Sequence, residues 1–314
     1  MCAFHVSPDE QRLFPIIRDN SDMNAPHKPH QPHKPQQPPK PHRPELTNAA
    51  RPATFNVTSI NEHGEESETP IAGEHALTLY VDKDEILTLM TLGAAPEALA
   101  LGYLRNQRLL DSIDDVIAVQ VDWDVDAVVV KTRHGIRDLA GKTAKRTKTS
   151  GCGQGTVFGD LMADIDNVRL PGDARLSQAT LYDLLNKVRL HETIYKQAGA
   201  VHGCALATNG SGTSDILYFV EDVGRHNAVD AIAGLMWLDR VEGGDKIFYT
   251  TGRLTSEMVI KAAQMGIPFL VSRSGLTQMG YDIAQKVGIT MIGRATNKHY
   301  LLFTGAERFD RDGV

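Results

Sequence analysis

The sequence predicts an α/β protein made of a small mixed unit, a larger unit with parallel strands, and an N-terminal tail. Three observations carry that prediction. The 314 residues are 41% hydrophobic and 23% charged, which suits a soluble globular chain of one or two domains and excludes a fibrous or fully disordered one. Residues 24–44 hold eight of the fifteen prolines, interleaved with His, Lys and Gln. Beyond residue 201, strand and helix patterns alternate, with capping residues and glycine stops between them.

The tail comes first. A stretch of Pro, His, Lys and Gln buries too little apolar area to fold, so residues 1–50 are read as disordered. His27, His30, His33 and His42 could bind a metal loosely, but a solvated tail without a site is the simpler reading. Order is expected from about residue 51 and becomes firm after Pro70. Leu77, Leu79 and Val81 then alternate as a strand, and residues 85–92 are apolar enough for strand or turn. Pro96 opens a helix over 96–107, as proline fits a first turn. Residues 115–122 and 127–132 look like paired strands. Together these form a small α/β domain over 70–175. Residues 142–159, rich in Gly, Thr and Lys, break the pattern and are expected as a mobile loop at its end.

The larger domain is placed at 176–310. Ser177 caps a helix over 178–197 that stops at Gly199. Residues 201–207 and 215–221 read as a hairpin around 209–212. Asn227 caps a helix running to Leu238, and 246–251 is a strand. A helix over 255–265 ends at Gly266, and 269–273 is a strand. Thr277 caps a helix that ends at Gly288, and 290–294 is the last strand. Such alternation implies parallel strands joined by right-handed crossovers.

Composition removes several functions. A net charge of −6 and a pI near 6.1 argue against a protein that binds nucleic acid by overall charge, but leave room for a local basic pocket. Three cysteines (Cys2, Cys152, Cys204) are too few for a disulfide scaffold or a four-cysteine zinc site, which points to a reducing cytoplasm. Residues 87–104, the most apolar stretch, are interrupted by Pro96 and Glu97 and do not read as a membrane span. The N-terminus lacks the basic segment and apolar core of a secretory signal.

In open α/β sheets, ligands sit beyond the carboxyl ends of the strands. Those ends carry Arg225, His226 and Asn227, then Arg253, Arg273, and the run Arg294-Ala295-Thr296-Asn297-Lys298-His299. Gathering that many cations is unfavourable unless carboxylates or an anion offset them. Guanidinium groups match phosphate, and helix starts at Asn227, Thr255 and Thr277 add oriented amides. A phosphate or pyrophosphate ligand is therefore expected. Surface arginines paired with Glu221, Asp222 and Glu257 are the plainer alternative.

Cys152 lies between glycines, after Lys142, Lys145, Arg146 and Lys148. Nearby cations favour a thiolate, so it is a candidate nucleophile or sulfur carrier, with an incidental loop cysteine as the equal alternative on position alone. Cys204 sits among strand residues and reads as packing, and Cys2 as inert. His202 or His226 could serve Cys152 as a base, but no local signature supports a thiol hydrolase. Residues 151–155 lack the strand before and the Gly-Lys-Ser/Thr after that a nucleotide loop needs. His63-Gly64-Glu65 has deaminase spacing, but no Cys-x-x-Cys follows.

Four segments in order, TSGCGQG (149–155), EDVGRHNAVD (221–230), GRLTSEMVIKAA (252–263) and GIPFLVSRSGLT (266–277), resemble the formate dehydrogenase accessory sulfurtransferases, the FdhD/NarQ family, over roughly residues 70–310. The resemblance implies a cytidine-deaminase-like three-layer domain without the zinc site. It implies a cytoplasmic, homodimeric protein with no permanent cofactor, no resident metal, and no nucleic-acid or membrane partner. Such a protein takes persulfide sulfur from a cysteine desulfurase and passes it to the molybdenum or tungsten bis(molybdopterin guanine dinucleotide) cofactor, needed for the formate dehydrogenase catalytic subunit. Cys152 matches the persulfide cysteine, and 294–299 match the cofactor-binding stretch by position. Arg225, His226, Arg253 and Arg273 are added from the strand-end argument. One departure matters: many members have Cys-x-x-Cys in the loop, and here the second position is Gly155. A lone thiol can still carry a persulfide, but the loss favours a second reading, a cofactor chaperone or insertase without sulfur transfer.

Overall fold

Two sheets face each other across a pair of crossed helices. The computed structural model describes residues 42–136, 147–148, 155–156, 165–191 and 193–311. The described residues belong to one unit. The smaller sheet has five strands in the order β1 (Glu45–Leu46), β6 (Val116–Asp122), β7 (Ala127–Thr132), β4 (His75–Val81), β5 (Asp84–Thr91). Between β5 and β6 runs α1 (Pro96–Asn106). Leu99, Leu101, Tyr103 and Leu104 are all at most 2% exposed, because α1 is enclosed on every side.

The larger sheet has six strands in the order β12 (Ile216–Asp222), β11 (His202–Thr208), β13 (Lys246–Thr250), β14 (Phe269–Ser272), β15 (Thr290–Thr296), β16 (His299–Thr304). One face carries Cys204, Leu206, Phe248, Leu270 and Met291 against α4 (Arg225–Leu238), α5 (Ser256–Gln264) and α6 (Gln278–Val287). The other face carries Ala205, Ile247, Tyr249, Phe269, Val271 and Ile292 against α2 (Gln178–His191). Period-2 alternation along each strand thus feeds two cores.

The two halves are joined by α1 on α4. A Cβ on Gly102 would lie 1.6 Å from the Asp230 carbonyl oxygen, and one on Gly234 would lie 1.9 Å from the Ala98 carbonyl oxygen. The two backbones touch at reciprocal glycines, where no other residue fits.

Several elements differ from the sequence expectation. Order starts earlier than residue 51, since β1 already pairs with β6 at Glu45. Two residues show no periodicity, so the strand was invisible. β2 (Thr54–Ile60) and β3 (Glu66–Ala72) form a hairpin before the expected start of firm order. It is largely exposed, which erases the apolar alternation that marks a strand. The large sheet is mixed: only the β13–β14 and β14–β15 pairings are parallel, and β11, between β12 and β13, is antiparallel to both. The expected helix over 178–197 is divided into α2 and α3 (Ile194–Ala198). The Glu221 carboxylate accepts from the backbone N–H groups of Thr193, Ile194 and Tyr195, starting a new helix there. α4 begins at Arg225 after Gly224, so Asn227 is in its first turn and not at its cap. The last strand extends to Thr296 and turns back into β16. Ser177 and Thr277 do cap their helices, accepting from Thr180 N and Gly280 N, and Gly288 closes α6 at φ 75°. The tail to residue 41, and the 142–159 loop apart from the paired residues 147–148 (β8) and 155–156 (β9), lie outside the described residues.

Gly102→Ala and Gly234→Ala should each lower stability by about 3 kcal/mol or more, because the helices must separate. Urea unfolding measures this. A loss below about 1 kcal/mol would mean the crossing is not as tight as described.

Candidate functional site

The carboxyl ends of β12, β13, β14 and β15, and the amino ends of β11 and β16, share one edge of the large sheet. The segment 221–230 enters this edge and sends its polar side chains to several elements. Glu221 holds the start of α3. Asp222 accepts from Thr91 Oγ1 at 2.6 Å, Leu92 N at 3.3 Å, Gly224 N at 3.2 Å and Asn227 Nδ2 at 2.9 Å. Burial pushes the Asp222 carboxyl up, and those hydrogen bonds oppose it. Asn227 also donates to the Met90 carbonyl at 2.6 Å. Asp230, fully buried, accepts from Asn106 Nδ2 and Lys261 Nζ, both at 2.7 Å. Lys261 lies 3.6 Å from Glu257, and Glu257 lies 3.2 Å from His226 Nε2. Burial works against the Lys261 ammonium, but Asp230 and Glu257 outweigh it and raise its pKa.

Two expected ligand contacts therefore change character. His226 is 1% exposed, and burial drives its pKa down to about 3, so it is a neutral interior ring beside Glu257. It does not reach the outer face of the edge. Arg225 is 5% exposed and lies against Gly252, where a Cβ would come within 2.7 Å of Arg225 Cδ. It stands behind the edge.

The turn after β13 organises what stands in front. Gly252 N bonds Thr250 Oγ1 at 3.1 Å, Ser272 Oγ donates to the Gly252 carbonyl at 2.6 Å, and Arg273 N donates to the Thr250 carbonyl at 3.2 Å. This brings Arg253, which is exposed, beside Arg273, which lies 5.1 Å over the Tyr195 ring. A cavity of about 80 Å³ is lined by Arg273, Ala295, Thr296 and Asn297, together with Tyr249 and Leu185, Val188 and Arg189 of α2. Arg294 is exposed at φ 51°, with its N–H on the Ser274 carbonyl. Asn297 and Lys298 form the turn between β15 and β16, both exposed, as is His299. Arg273 and 295–297 thus share one cavity, Arg253 stands in the adjoining turn after β13, and Arg294, Lys298 and His299 border it in the chain.

Cys204 is fully buried, its Sγ 3.3 Å from Thr250 Oγ1, and burial pushes its thiol up to about 12. It is a packing residue. Cys152 and Cys2 lie outside the described residues. Among the described residues, no group of three or more His, Cys, Asp or Glu is placed to hold a metal ion, and no helix is long and apolar enough to cross a membrane. Reading the strand ends missed Arg189 and Tyr195, which sit on helices, and gave no weight to Lys261, whose partners are Asp230 on α4 and Glu257 one turn before it on α5.

The model of the FdhD/NarQ family matches residues 72–310. The chain belongs to that family. It is 28% identical over 246 residues to the sulfur carrier protein FdhD of Wolinella succinogenes, covering 78% of this chain and 84% of that one. It is 32% identical over 232 residues to the protein of the same name from Sulfurisphaera tokodaii, covering 74% and 87%. The crystal structure of a candidate formate dehydrogenase accessory protein from Desulfotalea psychrophila superimposes with a TM-score of 0.65 at 25% identity, covering 82% of this chain and all of that one.

Lys261→Met leaves Asp230 and Glu257 buried without their cation and should cost about 3–5 kcal/mol in urea unfolding. Adding Asp230→Asn should restore a good part of that. Equal instability of the single and double variants would show that the charges do not interact.

Proposed function

We propose that this chain is a sulfur carrier for formate dehydrogenase assembly. The Cys152 thiolate attacks the outer sulfur of a persulfide on a cysteine desulfurase, and the desulfurase thiolate leaves. The S–S bond of the Cys152 persulfide then breaks: its outer sulfur passes to the metal of a molybdenum or tungsten bis(molybdopterin guanine dinucleotide) cofactor, the cargo, whose reduced metal supplies the two electrons that make it sulfide, and Cys152 leaves as a thiolate before the cargo enters the formate dehydrogenase catalytic subunit. The observation that carries the reading is the cavity joining Arg273 to Ala295, Thr296 and Asn297, with Arg253 in the adjoining turn after β13, in a chain whose relatives are named sulfur carrier proteins. The pyrophosphate arms of the cargo suit guanidinium groups at strand ends. Arg253, Arg273, Arg294, Lys298 and His299 would meet the ligand, while Arg225 and His226 support it from behind. Lys142, Lys145, Arg146 and Lys148 precede Cys152 in the chain and favour its thiolate form.

The same reading takes 176–310 as a cytidine-deaminase-like three-layer domain without the zinc site and 70–175 as its smaller companion. The protein would act in the cytoplasm as a homodimer. A second reading is a cofactor chaperone or insertase that binds the same ligand without moving sulfur. Gly155, where a second cysteine is common, favours it.

Cys152→Ala should leave the melting temperature unchanged and abolish activation of formate dehydrogenase. Incubation with a desulfurase and cysteine should add the mass of one sulfur atom at Cys152. Full activation by the variant, with no adduct on the wild type, would select the chaperone. Separately, Arg253→Ala and Arg273→Ala should each weaken GDP binding by about 1.5–3 kcal/mol while the melting temperature barely moves. Unchanged affinity in both would remove the arginine edge as the ligand site.

A further inference from the structure

His202 lies within the arginine edge, and the ligand reading assigns it no task. It is the first residue of β11 and half-buried, with Nδ1 3.4 Å from Thr251 Oγ1. Gly203 N donates to that same hydroxyl at 3.1 Å, which ties the start of β11 to the turn after β13. Arginines of three elements act on it electrostatically. Arg225 comes from α4 across Gly252, Arg253 stands in the turn itself, and Arg273 leaves β14 with its N–H on the Thr250 carbonyl. The neutral His226 ring of α4 is also near enough to act on it electrostatically. Its register partner on β12 is Asp222, whose oxygens are engaged by Thr91, Leu92, Gly224 and Asn227.

An imidazole among fixed cations is held neutral. A polyanion bound to those cations offsets their charge and adds its own, so the ring then gains by taking a proton. We propose that His202 is a proton-coupled, specificity-determining member of the anion site, neutral while the edge is empty and charged once a pyrophosphate lies on Arg253 and Arg273. This rests on the ligand reading above and adds to it. The fourth cation appears only when enough negative charge is present, so a pyrophosphate gains more from His202 than a single phosphate does. Burial, followed by Arg225, Arg273 and Arg253, holds the free ring below its ordinary value. The sign follows from linkage: binding takes up a proton, so affinity falls as pH rises through the window between the free and bound pKa values. The slope approaches about tenfold per pH unit where a whole proton is taken up.

Diguanosine pyrophosphate is a suitable probe, since its phosphates carry fixed charge near neutrality. Titration calorimetry at about pH 6, in two buffers of different ionisation enthalpy, reads the protons directly. The wild type should bind with proton uptake and lose affinity severalfold between about pH 6 and about pH 8. His202→Gln should still bind, with no uptake and a flat pH profile. Wild-type binding without uptake, or uptake undiminished in His202→Gln, would overturn the inference while leaving the ligand site standing. No binding at all would overturn the ligand reading and this inference with it. Should His202→Gln not fold, the histidine ring protons of the wild type give an independent readout: the probe must move one ring's titration upward, and no movement refutes the proposal.

Discussion

The backbone contact between α1 and α4 at Gly102 and Gly234 is the constraint on which the rest depends. It leaves no room for even a methyl group, so the helices have one register. The polar pairs at the same crossing enforce it. Asn106 from α1 and Lys261 from α5 both meet Asp230, and shifting any of the three helices would strand a buried charge. A buried ion pair of this kind adds less stability than specificity, because desolvation consumes most of the Coulomb gain. Its effect here is geometric. α4 starts at Arg225, so whatever locks α4 also sets where the arginine edge begins.

That changes the meaning of the segment 221–230. Read alone, Arg225 and His226 look like ligand contacts. In the fold, Glu221 fastens α3, Asp222 and Asn227 both fasten the end of β5, and Asp230 fastens the α1–α5 pair. The segment is a mount. Of the exposed groups at the edge, Arg253 lies in the distinctive segment 252–263, whereas Arg294, Lys298 and His299 stand outside all four such segments.

Much of the fold was legible where local rules decide. The caps at Ser177 and Thr277 and the stop at Gly288 held, and so did the hairpin of β11 and β12. The failures share a cause. α2 and α3 are separated by a carboxylate from a strand distant in sequence, and the direction of β11 relative to β13 depends on tertiary pairing. The exposed β2–β3 hairpin hid because a strand with no buried face has no alternation to read. At the site, chain order identified the edge but could not separate Arg273, at the cavity, from His226, sealed behind it. Both follow strand ends, and only depth distinguishes them.

The overall charge of −6 conceals this edge. Glu221, Asp222 and Glu257, the carboxylates nearest in sequence to its arginines, are spent inside the protein on the amides of α3, on Thr91 and Asn227, and on Lys261. Negative charge is thus drawn inward to hold helices, while positive charge is left at the strand ends. Burial also keeps both nearby imidazoles, His202 and His226, below their ordinary pKa, so neither adds fixed positive charge to the unliganded edge. The field there is set by guanidinium groups and by the amides of two helix starts that no side chain caps, α4 after Gly224 and α5 after Thr255. Guanidinium groups and helix amides at one edge favour the anion proposed above, while Glu221, Asp222 and Glu257 are engaged in fixing the fold.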